Sequence, residues 1–249
     1  MRNKVWLAIA AVGIVLFSLW ACAKHDRSML GRYMAPPNPL TLDDIIPGPM
    51  IADFESQTNY DRWNIVTDTN DWSDGYRGTS DASSFWINTG GAVGIGMLKF
   101  TYMLGSGYRY RYVNVGVGDN RHVGSNGRDL FLDASGYDGI HFWLKGATNK
   151  LRLNLATRNF YSGHYPARYS DTTNWRYYNW DFWGCNIEPV PADWTEYFVL
   201  FSDLYQKGFG SSESFDASHI TKVLFETLSM VPGESGYFYL DDIYLFKLR

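Results

Sequence analysis

Two kinds of hydrophobic pattern divide the chain. A continuous apolar run covers residues 5–20 and follows the basic residues Arg2 and Lys4. Beyond residue 50, apolar positions come in short runs separated by Gly, Asn, Asp and Ser. Several of these runs alternate, as at residues 151–155 (LRLNL), where the leucines share one face of a strand and the polar residues share the other. The pattern predicts an apolar N-terminal segment followed by a β-rich domain.

Seven segments are predicted to be strands because each is apolar or alternating and is bounded by turn-forming residues. Many short strands separated by turns favour two packed sheets, so we expect an all-β antiparallel sandwich of jelly-roll type. The glycine-rich run at residues 90–96 is expected to be a turn, since no Lys-Ser, Lys-Thr or helix pattern follows it. The predicted strands are residues 96–102, 108–117, 139–144, 151–157, 195–201, 222–228 and 237–246.

The N-terminal run has the layout of a secretory signal. It ends in Leu19-Trp20-Ala21-Cys22, which resembles a bacterial lipobox. The resemblance implies a signal peptide at residues 1–21 and a diacylglycerol on Cys22 that anchors the protein to a membrane. Because Ala23 and not Asp follows the cysteine, family analogy favours the outer membrane of the cell envelope. The alternative is an uncleaved N-terminal anchor helix.

Composition limits the remaining possibilities. Prolines concentrated before residue 50 predict an extended tether over residues 22–49, which leaves residues 50–249 for one domain. The net charge is −4 and no long basic run occurs, so nucleic acid is not expected as a partner. The chain has two cysteines. If Cys22 is lipidated, Cys185 has no partner and is expected to be a buried thiol.

Four segments carry a resemblance to a known family. Residues 52–55 (ADFE) open the domain, residues 135–146 (SGYDGIHFWLKG) and 194–204 (WTEYFVLFSDL) follow, and residues 236–245 (GYFYLDDIYL) close it. In this order they resemble the galactose-binding-like β-sandwiches, most closely the family 11 carbohydrate-binding modules and the related complex I intermediate-associated protein 30 domains. The resemblance covers most of residues 51–248 and implies noncatalytic binding of a polysaccharide.

Acidic residues stand at both ends of this domain. Asp53 and Glu55 lie two apart and therefore share a face of a strand, while Asp241 and Asp242 lie near the closing strand. In related sandwiches the first and last strands are neighbours and hold a structural Ca²⁺, an ion that takes about six to eight oxygen ligands. We therefore expect these four residues to hold Ca²⁺. The alternative is a set of solvated or hydrogen-bonded carboxylates.

Aromatic residues make up 17% of the chain, with 10 Trp and 18 Tyr, and their polar edges place some of them on a surface. They are dense in residues 158–183, where arginines lie between the rings. Sugar C–H faces stack on such rings and Arg or Asn binds the hydroxyls, whereas the alternative is a loop that packs its own rings over the sandwich edge. The predicted ligand-binding residues are His141, Trp143 and Asn154 from one sheet face and Arg158, Tyr161, Tyr165, Arg168 and Trp175 from the adjoining segment.

The expected function is therefore that of a noncatalytic, polysaccharide-binding lipoprotein of the cell envelope, with a β-glucan-like polysaccharide as partner. No compact pair of catalytic carboxylates occurs, and the five histidines lack metal-ligand spacing. One alternative is a protein-interaction or assembly factor of the envelope. Another is a glycoside hydrolase or polysaccharide lyase whose catalytic residues come from separate strands.

Overall fold

The computed structural model describes residues 33–34, 40–55, 72–73, 80–106, 113–117, 132–157, 181–208, 214–227 and 231–249. The chain separates into two compact units, Met1–Tyr33 and Met34–Arg249. The predicted signal segment and Cys22 lie outside the described residues. Among the residues that are described, no helix is long and apolar enough to cross a membrane.

Strands dominate the second unit. Three single-turn 3-10 helices, Leu42–Asp44, Phe201–Asp203 and Ala217–His219, connect strands in the described part. The strands are β1 (Tyr33–Met34), β2 (Ile45–Ala52), β3 (Trp72–Ser73), β4 (Asp81–Ile87), β5 (Met97–Met103), β6 (Val113–Val117), β7 (Gly139–Ala147), β8 (Leu151–Thr157), β9 (Trp183–Ile187), β10 (Thr195–Leu200), β11 (Ile220–Thr227) and β12 (Ser235–Leu248).

The strands form two antiparallel sheets. Sheet I has the order β1-β9-β8-β11-β6-β3, and sheet II has the order β10-β7-β12-β5-β4, with β2 also paired to β12. One hydrophobic core joins them, in which Phe142 of β7 packs edge-on against Phe225 of β11 at 5.0 Å between ring centroids. This arrangement confirms the predicted all-β antiparallel sandwich.

The alternation that predicts the strands also fills the core. Ile140, Phe142 and Leu144 of β7 are fully buried between the sheets, as are Leu153 and Leu155 of β8. Each such side chain contributes about 1.5–3 kcal/mol to the free energy of unfolding. The intervening residues of β7 and β8 consequently point to the outer face of their own sheet.

Every predicted strand overlaps an observed one, but the pattern does not predict the two-residue strands β1 and β3 or the longer strands β2, β4 and β9. The three longer strands contain Pro, Ser or Gly, which weaken the strand signal. β2 begins at Ile45, inside the segment expected to be a tether, so the domain starts before residue 50. Pro47 and Pro49 are tolerated there because β2 pairs on one side only, with β12.

β12 is the longest strand and changes partner along one edge. Its first half, Ser235 to Leu240, pairs with β5, while its second half, from Ile243 to Leu248, pairs with β2. β7 pairs along the other edge of both halves. The change falls at Asp241 and Asp242, where the register shifts and Asp242 has a φ of 41°. Two acidic residues therefore lie where the edge partner of β12 changes from β5 to β2.

Candidate functional site

The predicted ligand residues fall on two different surfaces. His141 and Trp143 lie on β7 of sheet II, whereas Asn154 lies on β8 of sheet I. The expectation that they share one sheet face is therefore wrong. Alternation tells which residues of a strand point away from the core, but it does not tell which sheet the strand joins. Outside the described residues lie Arg158, Tyr161, Tyr165, Arg168 and Trp175.

The outer face of sheet I carries a hydrogen-bonded polar network around Arg152. Its Nε donates to Asn154 Oδ1 at 2.9 Å, and its Nη1 donates to Asn186 Oδ1 at 2.9 Å. Nη2 donates to the backbone carbonyl of Tyr205, whose ring centroid lies 4.4 Å from the guanidinium carbon. Arg152 is fully buried, so these partners replace the water that its charge would otherwise require.

The same network reaches solvent at Glu226 and Lys207. Asn154 is 2% exposed, and its Nδ2 donates to Glu226 Oε2 at 2.6 Å. Glu226 Oε1 lies 3.5 Å from Lys207 Nζ, and these two side chains are 18% and 28% exposed. Asn154 thus connects the buried guanidinium to an accessible carboxylate. The predicted site residues do not include Arg152, Asn186 or Glu226, although each occupies an alternating polar position.

Glycine at position 184 makes room for this network. A Cβ there would lie 2.1 Å from the Leu153 carbonyl oxygen and 2.6 Å from Asn154 Oδ1. The backbone of Gly184 also pairs with that of Tyr205, with N–O distances of 3.1 and 3.0 Å. This pairing places the Tyr205 backbone beside the sheet, next to Arg152.

His141 on sheet II is a buried structural residue in this arrangement. Its Nδ1 lies 3.1 Å from the Asp242 carbonyl oxygen and its Nε2 lies 2.9 Å from Glu196 Oε1. Its ring stacks on Tyr244 at 4.0 Å between centroids. Burial lowers the pKa of His141 to about 3 and raises the pKa of Glu196. Because a carbonyl oxygen only accepts, Nδ1 carries the proton of the neutral ring.

Trp143 lies on the outer face of sheet II beside a row of rings and lysines that we call the aromatic–lysine row. Lys145 of β7 and Lys99 of β5 flank Tyr239 of β12 in register. Trp143 is half-buried, and its ring meets that of His141 edge-on at 6.3 Å. The row comprises Phe85, Lys99, Lys145, Trp194, Tyr237 and Tyr239.

The acidic residues expected to hold Ca²⁺ do lie near one another, and two of them hold the glycine-rich turn. Asp241 Oδ2 accepts from the backbone N–H groups of Ala92 and Val93 at 2.7 and 3.1 Å. Glu55 Oε1 accepts from the backbone N–H groups of Ile95 and Gly96 at 2.9 and 2.8 Å. Residues 90–96 form a turn before β5, as predicted.

These carboxylates do not form a coordination shell. No three His, Cys, Asp or Glu side chains in the described ranges are grouped to hold a metal ion. Burial raises the pKa of Asp241 to about 6. Burial also raises the pKa of Asp242 to about 7, and the charges of the three neighbouring carboxylates add to that rise. The alternative hypothesis, a set of hydrogen-bonded carboxylates, accounts for the described contacts. Binding of Ca²⁺ by these residues stays a prediction.

Cys185 is a buried thiol, as predicted. It lies in the core on β9 with no exposed surface and is not in a disulfide. Burial raises the pKa of the Cys185 thiol to about 12, so the reactive thiolate does not form near neutral pH.

Solved structures with this fold include two family 11 carbohydrate-binding modules. One is the family 11 carbohydrate-binding module of the cellulosomal cellulase Lic26A-Cel5E of Clostridium thermocellum, with a TM-score of 0.52, 18% sequence identity, and coverage of 80% of this chain and 95% of that one. The other is a family 11 module from Clostridium thermocellum in complex with a β-1,3-1,4-mixed-linked tetrasaccharide, with a TM-score of 0.50, 17% identity and the same coverage. The chain therefore has the galactose-binding-like β-sandwich fold of these modules. No protein-family model and no curated protein matches the sequence.

Proposed function

We propose that this chain is a noncatalytic polysaccharide-binding protein of the cell envelope and that the outer face of sheet I binds the glycan. The observation that carries the proposal is the network from Arg152 through Asn154 to Glu226. Arg152 and Asn154 lie on β8, and Glu226 lies on the neighbouring strand β11. Residues 158–182 connect β8 to β9, its neighbour on the other side. That segment holds the five remaining predicted ligand residues. The likeness to a module in complex with a tetrasaccharide supports the same reading.

The network has the chemistry that sugar hydroxyls need. Glu226 accepts hydrogen bonds, Lys207 donates them, and the amide of Asn186 does both. Arg152 and Asn154 are too buried to touch a glycan, so their role is to orient the groups that do. A hydrogen bond to a sugar hydroxyl adds little binding free energy when water offers the same bond. Partners that are charged and held in position therefore contribute most to the affinity.

Replacing Glu226 by Gln should weaken glycan binding. Loss of a charge-assisted hydrogen bond costs about 1.5–3 kcal/mol, which raises Kd about 10- to 100-fold. Trp175→Ala should cost on the order of 1–3 kcal/mol if its ring stacks on a sugar, by analogy with base stacking. Calorimetry and affinity electrophoresis against mixed-linkage β-glucan, xylan and mannan would measure both.

Asp43→Asn is the matched control for the loss of one carboxylate, since Asp43 is exposed on a 3-10 helix. Its Kd should equal that of the parent. Two results would contradict the proposal. Capture of a specific envelope protein without glycan binding would favour the assembly-factor alternative, and release of new sugar ends would favour the enzyme alternative.

Membrane attachment is a separate part of the proposal. It consists of a lipid on Cys22, removal of residues 1–21 and residence at the outer membrane, and it is supported by the sequence Leu19-Trp20-Ala21-Cys22 alone. Attachment would place the sandwich next to the polysaccharides of the envelope.

A further inference from the structure

The aromatic–lysine row lies on the outer face of sheet II and crosses four neighbouring strands. In one register line, Lys145 of β7 faces Tyr239 of β12, Tyr239 faces Lys99 of β5, and Lys99 faces Phe85 of β4. Tyr237 lies two residues before Tyr239 and therefore on the same face. Phe85 is 51% exposed and Tyr237 is 41% exposed. The rings of Phe85 and Tyr237 are thus accessible to a partner that lies along the row.

The two lysines are held among the rings. Lys145 Nζ lies 4.4 Å from the ring centroid of Trp194 and 5.0 Å from that of Tyr239. Lys99 Nζ lies 5.6 Å from the ring of Tyr239 and 5.7 Å from that of Tyr237. Cation–π contacts at exposed sites contribute little, about 0.5–1 kcal/mol, so either ammonium is free to turn toward a stronger partner.

Neither lysine has an anionic partner among the described residues. In the described ranges, no carboxylate oxygen lies within 4.0 Å of Lys99 Nζ or Lys145 Nζ. The carboxylate nearest along β10, Glu196, is bound to His141. Two unpaired cations on one aromatic surface are notable in a chain whose net charge is −4.

The rings that frame the lysines are fixed by the fold. Trp194 Nε1 donates to the Gly90 carbonyl oxygen at 3.2 Å, which sets the plane of the indole. Tyr239 belongs to β12, which is hydrogen-bonded to strands on both sides. The surface is therefore present before any partner binds, which lowers the entropic cost of binding.

We propose that the aromatic–lysine row is a second ligand surface, which binds a polysaccharide whose sugars carry carboxylate groups. Ring faces suit the C–H faces of sugars, and the two ammonium groups suit carboxylates. Lys99 and Lys145 lie on strands two spacings apart, about 10 Å, with Tyr239 between them. This is a span comparable to a disaccharide, so a sugar stacked near Tyr239 has a cation on either side. The proposal does not depend on glycan binding by sheet I.

The test is calorimetry of the full chain with sodium polygalacturonate, with neutral mixed-linkage β-glucan and with dextran sulfate. We expect polygalacturonate binding that weakens as salt rises from about 50 to about 500 mM, because ion pairs at a surface are screened. Lys99→Gln and Lys145→Gln should each raise its Kd about fivefold, as loss of a surface ion pair does. Lys145→Arg should retain binding.

Lys247→Gln is the matched control, because Lys247 is an exposed lysine of β12 outside the row. It should leave Kd unchanged, and all the lysine variants should melt at the parent temperature. Unaltered polygalacturonate binding in both row variants would overturn the proposal, as would equal binding of dextran sulfate or no polygalacturonate binding at all. If one of these results is found but Glu226→Gln weakens β-glucan binding, the function proposed for sheet I stands and only the second ligand surface is rejected.

Discussion

Burial decides the chemistry of single polar residues in this sandwich. His141 has an ordinary pKa of 6.5, and its burial against Tyr244 and Phe198 lowers that value to about 3. The folded protein therefore keeps the ring neutral at pH values where the unfolded chain protonates it. The sequence suggested His141 as a ligand contact. In the fold it instead contacts Glu196 and the carbonyl oxygen of Asp242.

His141→Gln should destabilise the fold most at neutral pH. The contribution of His141 is fully present above pH 6.5 and is lost as the pH falls toward 3, by about 3 kcal/mol at pH 4. The difference in free energy of unfolding between parent and variant should thus shrink from pH 7 to pH 4. Denaturant titrations at several pH values measure it. A constant difference would show that His141 does not titrate between the two states.

Strand β9 shows how one element adapts to the side chains of its neighbour. Gly184 faces Asn154 of β8 in register, and the absence of a side chain leaves space for the Arg152 network. A buried Arg on the outer side of a sheet is costly unless its donors are satisfied. The glycine lowers the strand propensity of β9, but it leaves room for the hydrogen bonds that satisfy the Arg152 donors.

Gly184→Ala should lower the free energy of unfolding by about 1–3 kcal/mol. Its Cβ would meet the Leu153 carbonyl oxygen at 2.1 Å, and a backbone atom in a sheet does not move aside without loss of pairing. The same change at Gly136, where nothing lies within 4 Å, is the control and should cost less than about 0.5 kcal/mol. Urea denaturation followed by tryptophan fluorescence compares the two. Equal stabilities would mean that β8 and β9 have room to separate.

At the scale of the whole molecule, β12 connects the two ends of the domain. Its second half pairs with β2, the N-terminal strand of sheet II, and Asp241 at its centre holds the turn before β5. Asp241 is fully buried, and its two carboxylate oxygens accept three backbone N–H groups, those of Ala92, Val93 and Asp242.

Asp241→Ala should destabilise the whole domain by about 2–4 kcal/mol, because it leaves these three donors without an acceptor. Asp53→Ala removes a charge from the same group of carboxylates, but Asp53 is exposed and, among the described residues, accepts only the nearby Glu55 N–H. It should cost less than about 1 kcal/mol. Thermal and urea unfolding give both values. A loss for Asp241→Ala no larger than that of the control would contradict the assigned role.

The sequence predicts the architecture of the molecule better than its surfaces. Alternation suffices to predict the sandwich, because an apolar side chain such as that of Leu153 or Phe142 is buried in the core whichever sheet its strand joins. It cannot place Asn154 relative to His141, since sheet membership depends on pairings between distant strands such as β7 with β12. The aromatic–lysine row was missed for the same reason: Lys99, Lys145 and Tyr239 come from three strands.

The antiparallel pairing of β2 with β12 also decides how the domain carries tension. β2 begins at Ile45, which faces Leu248 at the end of β12. Force along the strand loads all the hydrogen bonds of β2 together, whereas force across it breaks them one after another from Ile45. Ile45 packs with Phe198, Tyr244 and Phe246 in a small cluster separate from the main core. Under such a load, the end of β2 is held by these three aromatic rings as well as by its hydrogen bonds to β12.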